Sequence, residues 1–341
     1  MSPEAVPTAS STSDGQVVRE PVSLETNTPA RERLATDLLR WGTDRPVAPP
    51  GLADRLEAML EAGLGGLREE LTVMAATRPR RTVTVTKTGL GRLVCDGWQL
   101  DPQPYSHTRA NVRGRLAGEA IAADWSGWRH AAAGDLVDRV WYEVASRRPG
   151  DPASLSAWLN SQPSRDADTL RGEIADLIEA FREVWPPLPP EAVVCRVARP
   201  LEVSLAGGLV TLQGVPDLVL DSRRDDDHAR ALVVDVKTGQ PRSEEADRHE
   251  LRFYALLVTL ETGKPPFRWA SFYVAEGRSE AEDLGEAVLE AAAQRVLEGV
   301  RQLVRVDART GSGEHGLRLQ AGPWCRLCLR ADSCEVAAAA R

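Results

Sequence analysis

Two aspartates and a lysine lie close together in the middle of the chain, in two short apolar runs. Asp235 and Lys237 are two residues apart in the β-branched run 232–238, so a strand places both side chains on one face. Asp217 directly precedes a second apolar run, 218–220, and antiparallel pairing of the two runs can bring Asp217 beside Asp235. Two carboxylates form a site for a hard cation, and the adjacent lysine can handle a proton or stabilise charge. The spacing predicts such a reaction centre; the alternative interpretation is a salt-bridged strand end.

Lysine is rare in this chain, which gives Lys237 additional weight. Of the 42 lysine and arginine residues only three are lysines, Lys87, Lys237 and Lys264. Arginine stays charged and forked, whereas a lysine is compact and its pKa can shift beside a metal or in a dry site. A lysine retained beside two aspartates therefore indicates a chemical role.

The elements that must position these residues are strands followed by a helix. The pattern predicts strands over 192–197, 201–205, 209–220 and 231–238 in one mainly antiparallel run, a later strand over 267–274 and a long helix over 286–306. A helix is predicted over 243–260, with Ser243 as its cap. Glu250 and Tyr254 are four residues apart in that helix, so their side chains point in one direction, as a pair that contacts a substrate requires.

Three of the five cysteines are bunched near the C-terminal end. Cys325, Cys328 and Cys334 supply three thiolate ligands within ten residues and lack a fourth, for which Cys95 and Cys195 are the candidates. Taken alone, the triplet is also typical of a zinc knuckle. Bunched cysteines fit an intracellular metal site better than a disulfide framework, so we expect a cytoplasmic protein.

The motifs Gly-x-x-Asp217 and Asp235-x-Lys237-Thr-Gly resemble those of the RecB/Cas4/AddB-like branch of the PD-(D/E)XK nuclease superfamily. The resemblance extends over roughly residues 86–336. It implies that Asp217, Asp235 and the backbone carbonyl of Val236 hold Mg²⁺ or Mn²⁺. It also implies that Lys237 positions or activates the water that attacks a phosphodiester.

Two positions depart from the family pattern. The family has Gln-x-x-x-Tyr on the helix after the lysine, beside the substrate strand, and this chain has Glu250 and Tyr254 there. The family's metal-binding histidine on an earlier helix aligns with Gly118, where Glu119 is the neighbour that can substitute as an oxygen ligand. Glu119 nevertheless points about 100° around the helix from Gly118.

The resemblance also selects among the metal sites at the cysteines. It implies a [4Fe–4S] cluster held by Cys95, Cys325, Cys328 and Cys334, with zinc as the alternative. Cys195 then remains a small residue buried in a strand.

Length and composition indicate a globular protein. The 341 residues are 42% hydrophobic and carry a formal net charge of −8, which argues against a surface coated in positive charge. No apolar run approaches a membrane span. The resemblance implies an α/β fold, a restriction-endonuclease-like core with a mixed central sheet flanked by helices, plus a helical insertion. The predicted parts are a disordered tail over 1–50, an N-terminal helix and linker over 51–85, and a nuclease domain over 86–341, with the insertion at about 123–190 and the cysteine motif at 323–336.

Five tryptophans lie in or beside this insertion, at positions 125, 128, 141, 158 and 185, and they either pack in a core or stack on the bases of a single strand. The amphipathic stripe over 52–74 is either a core helix or a dock for a partner. The resemblance implies a metal-dependent DNA nuclease of the single-strand exonuclease type, in repair, recombination or phage defence. The expected partners are DNA with free or single-stranded ends and a helicase or other DNA-processing protein, with no membrane. The alternatives are a catalytically degenerate nucleic-acid-binding scaffold and a structure-specific endonuclease.

Overall fold

Helices flank two β-sheets in the computed structural model, which describes residues 29–34, 38–40, 45–78, 80–125, 131–147, 151, 153–185, 193–222, 230–239, 244–310 and 316–339. The first half of the chain forms α1 (Pro29–Arg33), α2 (Leu52–Gly65), α3 (Arg68–Ala76), β1 (Val83–Val85), α4 (Lys87–Arg92), α5 (Asp96–Leu100), α6 (Arg109–Ala123), α7 (Ala133–Ala145), α8 (Leu155–Asn160) and α9 (Ser164–Val184). The second half forms β2 (Val193–Val197), β3 (Leu201–Leu205), β4 (Val210–Gly214), β5 (Leu218–Ser222), β6 (Leu232–Lys237), α10 (Glu244–Thr262), β7 (Arg268–Tyr273), β8 (Arg278–Asp283), α11 (Glu286–Thr310) and α12 (Glu335–Ala338).

The five-stranded sheet carries the two predicted aspartates and is buried on both faces. Its order is β2-β5-β6-β7-β8, with β6 and β7 parallel and the other neighbours antiparallel. Val233 and Trp269 face the core that contains α2, α10 and α11, whereas Val234 and Phe272 face the core that contains α6, α7 and α9. This alternation explains why the strand sequences are continuously apolar, and the arrangement confirms the predicted α/β class with a mixed central sheet flanked by helices.

The smaller sheet has the order β1-β4-β3, with β1 parallel to β4. The single strand predicted over 209–220 is wrong, because the chain breaks around Pro216 and its two halves, β4 and β5, join different sheets. A proline has no N–H to donate to a strand ladder. Gly214, at the end of β4, allows close packing: a Cβ built there would lie 2.6 Å from Cε1 of the Tyr254 ring. This glycine therefore lets α10 approach the strand that leads to Asp217.

The region predicted as a helical insertion forms one layer of the main core. Its helices α7 and α9 pack on α6, and α9 also covers β7 of the central sheet. The ring centroids of Phe181 and Trp185 lie 5.8 and 5.2 Å from that of Phe272. Trp125 meets Phe181 edge to face at 5.1 Å, and Trp141 is buried. These tryptophans therefore pack in the core, the first of the two interpretations.

Residues ahead of α2 also pack on the domain, which differs from the disordered tail predicted over 1–50. Leu34, Leu38 and Leu39 are at most 7% exposed and join the same core as α9. The guanidinium of Arg45 lies 4.5 Å from the centre of the Phe267 ring and donates to the Leu39 carbonyl at 3.1 Å. Local composition does not reveal this packing, because the apolar surface that covers the leucines comes from distant parts of the chain.

The segment predicted as an N-terminal helix and linker, 51–85, belongs to the same core. The leucine stripe of α2, which comprises Leu52, Leu56, Leu60 and Leu64, is buried beside α10 and α11, so it is a core helix. Because β1 pairs with β4, a boundary at residue 86 would separate neighbouring strands of one sheet.

Residues 1–28, Trp128 and the predicted cap Ser243 lie outside the described residues. Of the helices in the described ranges, none combines the length and the apolar character that a bilayer-spanning segment needs.

Candidate active site

The strand register brings Asp217 and Asp235 together, as the sequence predicts. Leu218 of β5 pairs with Val234 of β6, so one further step along the antiparallel pair sets Asp217 opposite Asp235. The backbone N–H of Val236 donates to Oδ2 of Asp217 at 2.7 Å, which fixes that carboxylate on the edge of β6. Asp235 is 5% exposed. Two acidic side chains are therefore held against each other at a largely buried strand end.

This proximity is visible in the acidity of Asp217. Burial raises the pKa of Asp217 from its ordinary value to about 7, and the charge of Asp235 acts in the same direction. The hydrogen bond from Val236 and the charges of Lys87 and Lys237 oppose the increase without cancelling it. Burial beside a second carboxylate therefore makes the charged form of Asp217 costly at this strand end.

Lys237 bridges the aspartates to the next helix. Its Nζ lies 2.7 Å from Oδ2 of Asp235 and 3.2 Å from Oε2 of Glu250. Alternation along β6 places Asp235 and Lys237 on one face, and α10 brings Glu250 to that face from the side. Three of the predicted site residues thus form one connected group.

Tyr254 lies one turn after Glu250 on α10, on the same side of the helix, as predicted. Its ring is buried and packs against Gly214. Burial raises the pKa of the Tyr254 hydroxyl to about 12, so the phenol keeps its proton at neutral pH and remains a hydrogen-bond donor.

Lys87 is a fifth charged member that the sequence analysis does not assign to the site. It is the first residue of α4, whose cap Thr86 accepts a hydrogen bond from the Gly89 N–H. Its Nζ lies 3.8 Å from Oδ1 of Asp235, contacts the carboxylate of Glu250 and lies 4.8 Å from the centre of the Tyr254 ring. Two of the three lysines in the chain therefore meet at one place, and the scarcity of lysine was the signal that could have identified the second.

The electrostatic environment keeps Lys87 charged. Burial lowers the pKa of Lys87, but the charges of Asp235 and Glu250 outweigh it and hold the pKa above its ordinary value. With Lys237, two ammonium groups then face three carboxylates, those of Asp217, Asp235 and Glu250. When all five groups are ionised, the cluster has one negative charge in excess.

The donor chemistry of this cluster fits a hard divalent cation. Carboxylate and carbonyl oxygens are the ligands that Mg²⁺ and Mn²⁺ prefer, and the register sets the carboxylates of Asp217 and Asp235 opposite each other. Among the described residues no three His, Cys, Asp or Glu side chains form a group arranged to hold a metal. The candidate set is therefore smaller: Asp217, Asp235 and the backbone carbonyl of Val236.

Glu119, the expected substitute ligand, is engaged elsewhere. Its carboxylate oxygens lie 3.4 Å from Arg115 and 2.9 Å from Arg147. Helix α6 instead meets the end of β6 through Gly114, where a Cβ would lie 3.0 Å from Oγ1 of Thr238. Glu119 is five residues further along, about 140° around the helix. The structure thus brings Glu119 to two arginines, and Gly114 to the end of β6.

The segments that carry the cysteines dock on each other. Pro102 and Cys328 form an isolated β-bridge, the Gln103 N–H donates to the Leu327 carbonyl at 2.8 Å, and the Leu329 N–H donates to Asp101 at 2.9 Å. Nearby, the indole rings of Trp98 and Trp324 stack at 6.3 Å. The N-terminal and C-terminal ends of the predicted nuclease domain are therefore joined directly.

The thiols themselves lie near this junction. Cys95 and Cys328 are buried, whereas Cys325 and Cys334 are partly exposed. Burial raises the pKa of the Cys328 thiol, with Cys95 and Cys325 adding to the effect. In the described part of the chain these thiols do not form a group of three or more side chains placed to hold a metal. Cys195 lies in β2 opposite Leu220, and its side chain is outside the described part of the chain.

Comparison with known proteins is consistent with this geometry. The family model of the PD-(D/E)XK nuclease superfamily matches residues 98–335, more than two thirds of the chain, and the match includes Asp217, Asp235, Lys237 and α10. No curated protein matches the sequence. A solved structure, described as the crystal structure of SSO0001, is 12% identical over 80% of this chain and 95% of that chain, with a TM-score of 0.29.

Proposed function

The chain belongs to the PD-(D/E)XK nuclease superfamily, and on that premise we propose that it is a Mg²⁺- or Mn²⁺-dependent nuclease that removes nucleotides from the ends of single-stranded DNA. The observation that carries the proposal is the pairing of Asp217 with Asp235 at one strand end, with Lys237 bound to Asp235 at 2.7 Å. Membership of the superfamily implies a nucleic acid as substrate, and the choice of DNA, the single-strand preference and the end preference belong to the proposal.

Each residue of the cluster then has a separate task. Asp217, Asp235 and the Val236 carbonyl would hold the cation, because the two carboxylates lie opposite each other beside Val236. A cation bound there would polarise the scissile phosphate and lower the pKa of a coordinated water. Lys237 orients the attacking water and offsets charge that develops in the transition state. Because one group of this kind acts as a unit, loss of any member removes most of the rate.

The remaining residues position the substrate strand. Tyr254 keeps its proton and donates a hydrogen bond to a phosphate oxygen. Glu250, held by Lys87 and Lys237, keeps both ammonium groups at the site, where a glutamine would hold them less strongly. Lys87 supplies a second positive charge beside the phosphate.

We also propose that Cys95, Cys325, Cys328 and Cys334 hold a [4Fe–4S] cluster, with zinc as the alternative. Support comes from the direct docking of the two cysteine segments and from the effect of Cys95 and Cys325 on the pKa of the Cys328 thiol, which burial also raises. The thiols are not gathered into a ligand group in this conformation, so binding must draw them together. A separate helicase supplies the unwound strand.

The test compares end-labelled linear and covalently closed circular single-stranded DNA in Mn²⁺. The wild type should shorten the linear strand and leave the circle intact, EDTA should stop the reaction, and Asp235→Asn and Lys237→Met should be inactive. Glu119→Gln is the matched control, because Glu119 is paired with arginines, and it should retain activity. Cutting of the circle would identify an endonuclease. Full activity of Lys237→Met would reject the mechanism.

A scaffold that retains the fold without cleavage is the second candidate, favoured by Gly118 and Glu250 at positions where the family has histidine and glutamine. Inactivity of the wild type on both DNAs with both metals, together with retained DNA binding, would select it.

A further inference from the structure

A groove lined by arginines adjoins α4, the helix that begins at Lys87. It has a volume of about 580 Å³ and runs between α4, α11 and the segment 316–320. The arginines that line it are Arg295, Arg301, Arg305 and Arg318. Glu298 is the acidic residue in the described lining. This concentration of positive charge contrasts with the formal charge of −8 on the whole chain.

A buried carboxylate holds two of the residues that line the groove, Gln302 and Arg318. Asp96 is fully buried and accepts hydrogen bonds from the Gln302 amide and from the Arg318 backbone N–H, both at 2.8 Å. The Arg318 guanidinium donates to the Leu93 carbonyl at 3.0 Å, and that of Arg305 lies 3.8 Å from Asp96. Because two guanidinium groups are already held in place, an anion that binds there has less side-chain ordering to offset.

The groove is continuous with the surroundings of the candidate active site. Lys87 at the start of α4 contacts Asp235 and Glu250, whereas Leu90 and Leu93 further along line the groove. A second cavity of about 310 Å³ shares Leu90 with the groove and reaches α10, the helix that carries Glu250. A ligand in the groove is therefore separated from the acidic cluster only by the short helix α4.

We propose that this groove binds the phosphodiester backbone of the substrate strand beside the site of cleavage, an assignment that rests on the proposed nuclease function. Forked guanidinium groups pair with phosphate oxygens in a planar, two-bond geometry, and several along one helix match a polymer with repeated negative charge. Arg301 and Arg305 are four residues apart and share one face of α11. Arg301 is exposed and makes no ion pair with any residue that the structure describes, so its guanidinium is available to a phosphate.

The experiment measures binding of a fluorescent single-stranded oligonucleotide, and of the same sequence as a duplex, in EDTA over a range of salt concentrations. Each phosphate contact contributes about 0.7 to the slope of log affinity against log salt for a single strand. Arg301→Ala should lower the steepness by about 0.7, and Arg301→Ala/Arg305→Ala by about 1.4, with weaker binding of the single strand. Arg305 faces the buried Asp96, so its loss in the double variant can unfold the protein. In that case Arg301→Ala alone still tests the proposal.

The control is Arg139→Ala/Arg165→Ala, which removes the same charge from exposed positions on α7 and α9 and should leave the slope unchanged. Equal slopes for wild type and groove variants would overturn the proposal, as would equal losses in the control. Tighter binding of polyglutamate than of the oligonucleotide would overturn the proposal in favour of an acidic protein partner. If the groove variants lower the salt slope for the duplex but not for the single strand, the single-strand assignment is overturned. Since EDTA prevents cleavage, an inactive enzyme with the expected slopes would reject the nuclease function and keep the groove.

Discussion

At the scale of single residues, the acidic cluster depends on two lysines that contact the same carboxylates. Lys237 bonds Asp235 and Glu250 from β6, and Lys87 reaches both from α4. Arginines outnumber lysines throughout the chain, yet neither position carries one. A compact ammonium fits between carboxylates that a divalent cation must also approach, whereas a planar fork would occupy two of the oxygens.

Replacing Lys87 with methionine should lower the free energy of unfolding by about 1–3 kcal/mol, because Asp235 and Glu250 lose a partner in a largely buried place. Urea denaturation in EDTA measures this change in the free energy of unfolding. Adding Glu250→Gln to Lys87→Met should restore part of the loss, since one unpaired charge then disappears. If the free-energy costs of the two single substitutions add in the double variant, the Lys87–Glu250 contact is not energetically coupled.

The acidity of Asp217 gives a pH-dependent prediction for the metal-free protein. Its pKa is raised from 3.8 to about 7 in the folded state, so its contribution to stability is fully present below about 3.8 and is lost as the pH rises to about 7. Asp217→Asn keeps an oxygen acceptor for the Val236 N–H and removes the charge. Its melting temperature relative to wild type should therefore increase between pH 4.5 and pH 8 in EDTA. A difference that is constant with pH would contradict the pairing, and Mn²⁺ should stabilise the wild type more than the variant.

At the scale of elements, the central hairpin and α10 follow from the sequence because their signals are local. A β-branched run, an acidic break and a second apolar run are sufficient to pair β5 with β6, and the helical spacing of Glu250 and Tyr254 sets their common side. Strand β8 is not predicted, since its residues Arg-Ser-Glu-Ala-Glu-Asp lack apolar alternation and suit the charged edge of a sheet.

Other features depend on partners that lie far away in the chain. The position of Lys87 at the site requires α4 to pack on α10, and the assignment of β4 and β5 to separate sheets requires knowledge of β1 and β2. No local pattern contains that information. The same reason applies to the leucines ahead of α2, whose burial is decided by α9 and the central sheet.

Leu38→Ala tests the packing of this N-terminal segment. Leu38 is 2% exposed in the core, so the substitution should reduce the free energy of unfolding by about 2–5 kcal/mol. Arg33→Ala, at an exposed neighbouring position in α1, is the control and should change it little. Equal and small effects of both substitutions would restore the prediction of a dispensable tail.

At the scale of the whole molecule, the docked cysteine segments close a loop of more than two hundred residues. Protein purified without oxygen should be brown and hold about four iron atoms per chain if the cluster forms. Cys95→Ser should remove the colour and lower the melting temperature of the entire domain, because restricting so long a loop stabilises the folded state. Cys195→Ser should keep the colour.

Two results would contradict parts of this prediction. A colourless protein with one zinc per chain would reject iron and retain the cross-link, and loss of metal in Cys195→Ser but not in Cys95→Ser would identify Cys195 as the fourth ligand. The groove variants test a separate proposal and do not depend on these two results. The groove and the cysteine junction are nevertheless adjacent, because Asp96, which follows Cys95, contacts Arg318 and Arg305.

The uneven distribution of amino groups has a practical consequence. Lys264 is exposed, whereas the side chains of Lys87 and Lys237 are 26% and 17% exposed. A small acylating reagent should therefore modify Lys264 quickly and the other two more slowly, because both are largely buried and contact Asp235. Mass spectrometry of the adducts would measure the three rates separately, without substrate and without a reporter group, because the chain has no other lysine to obscure the signal.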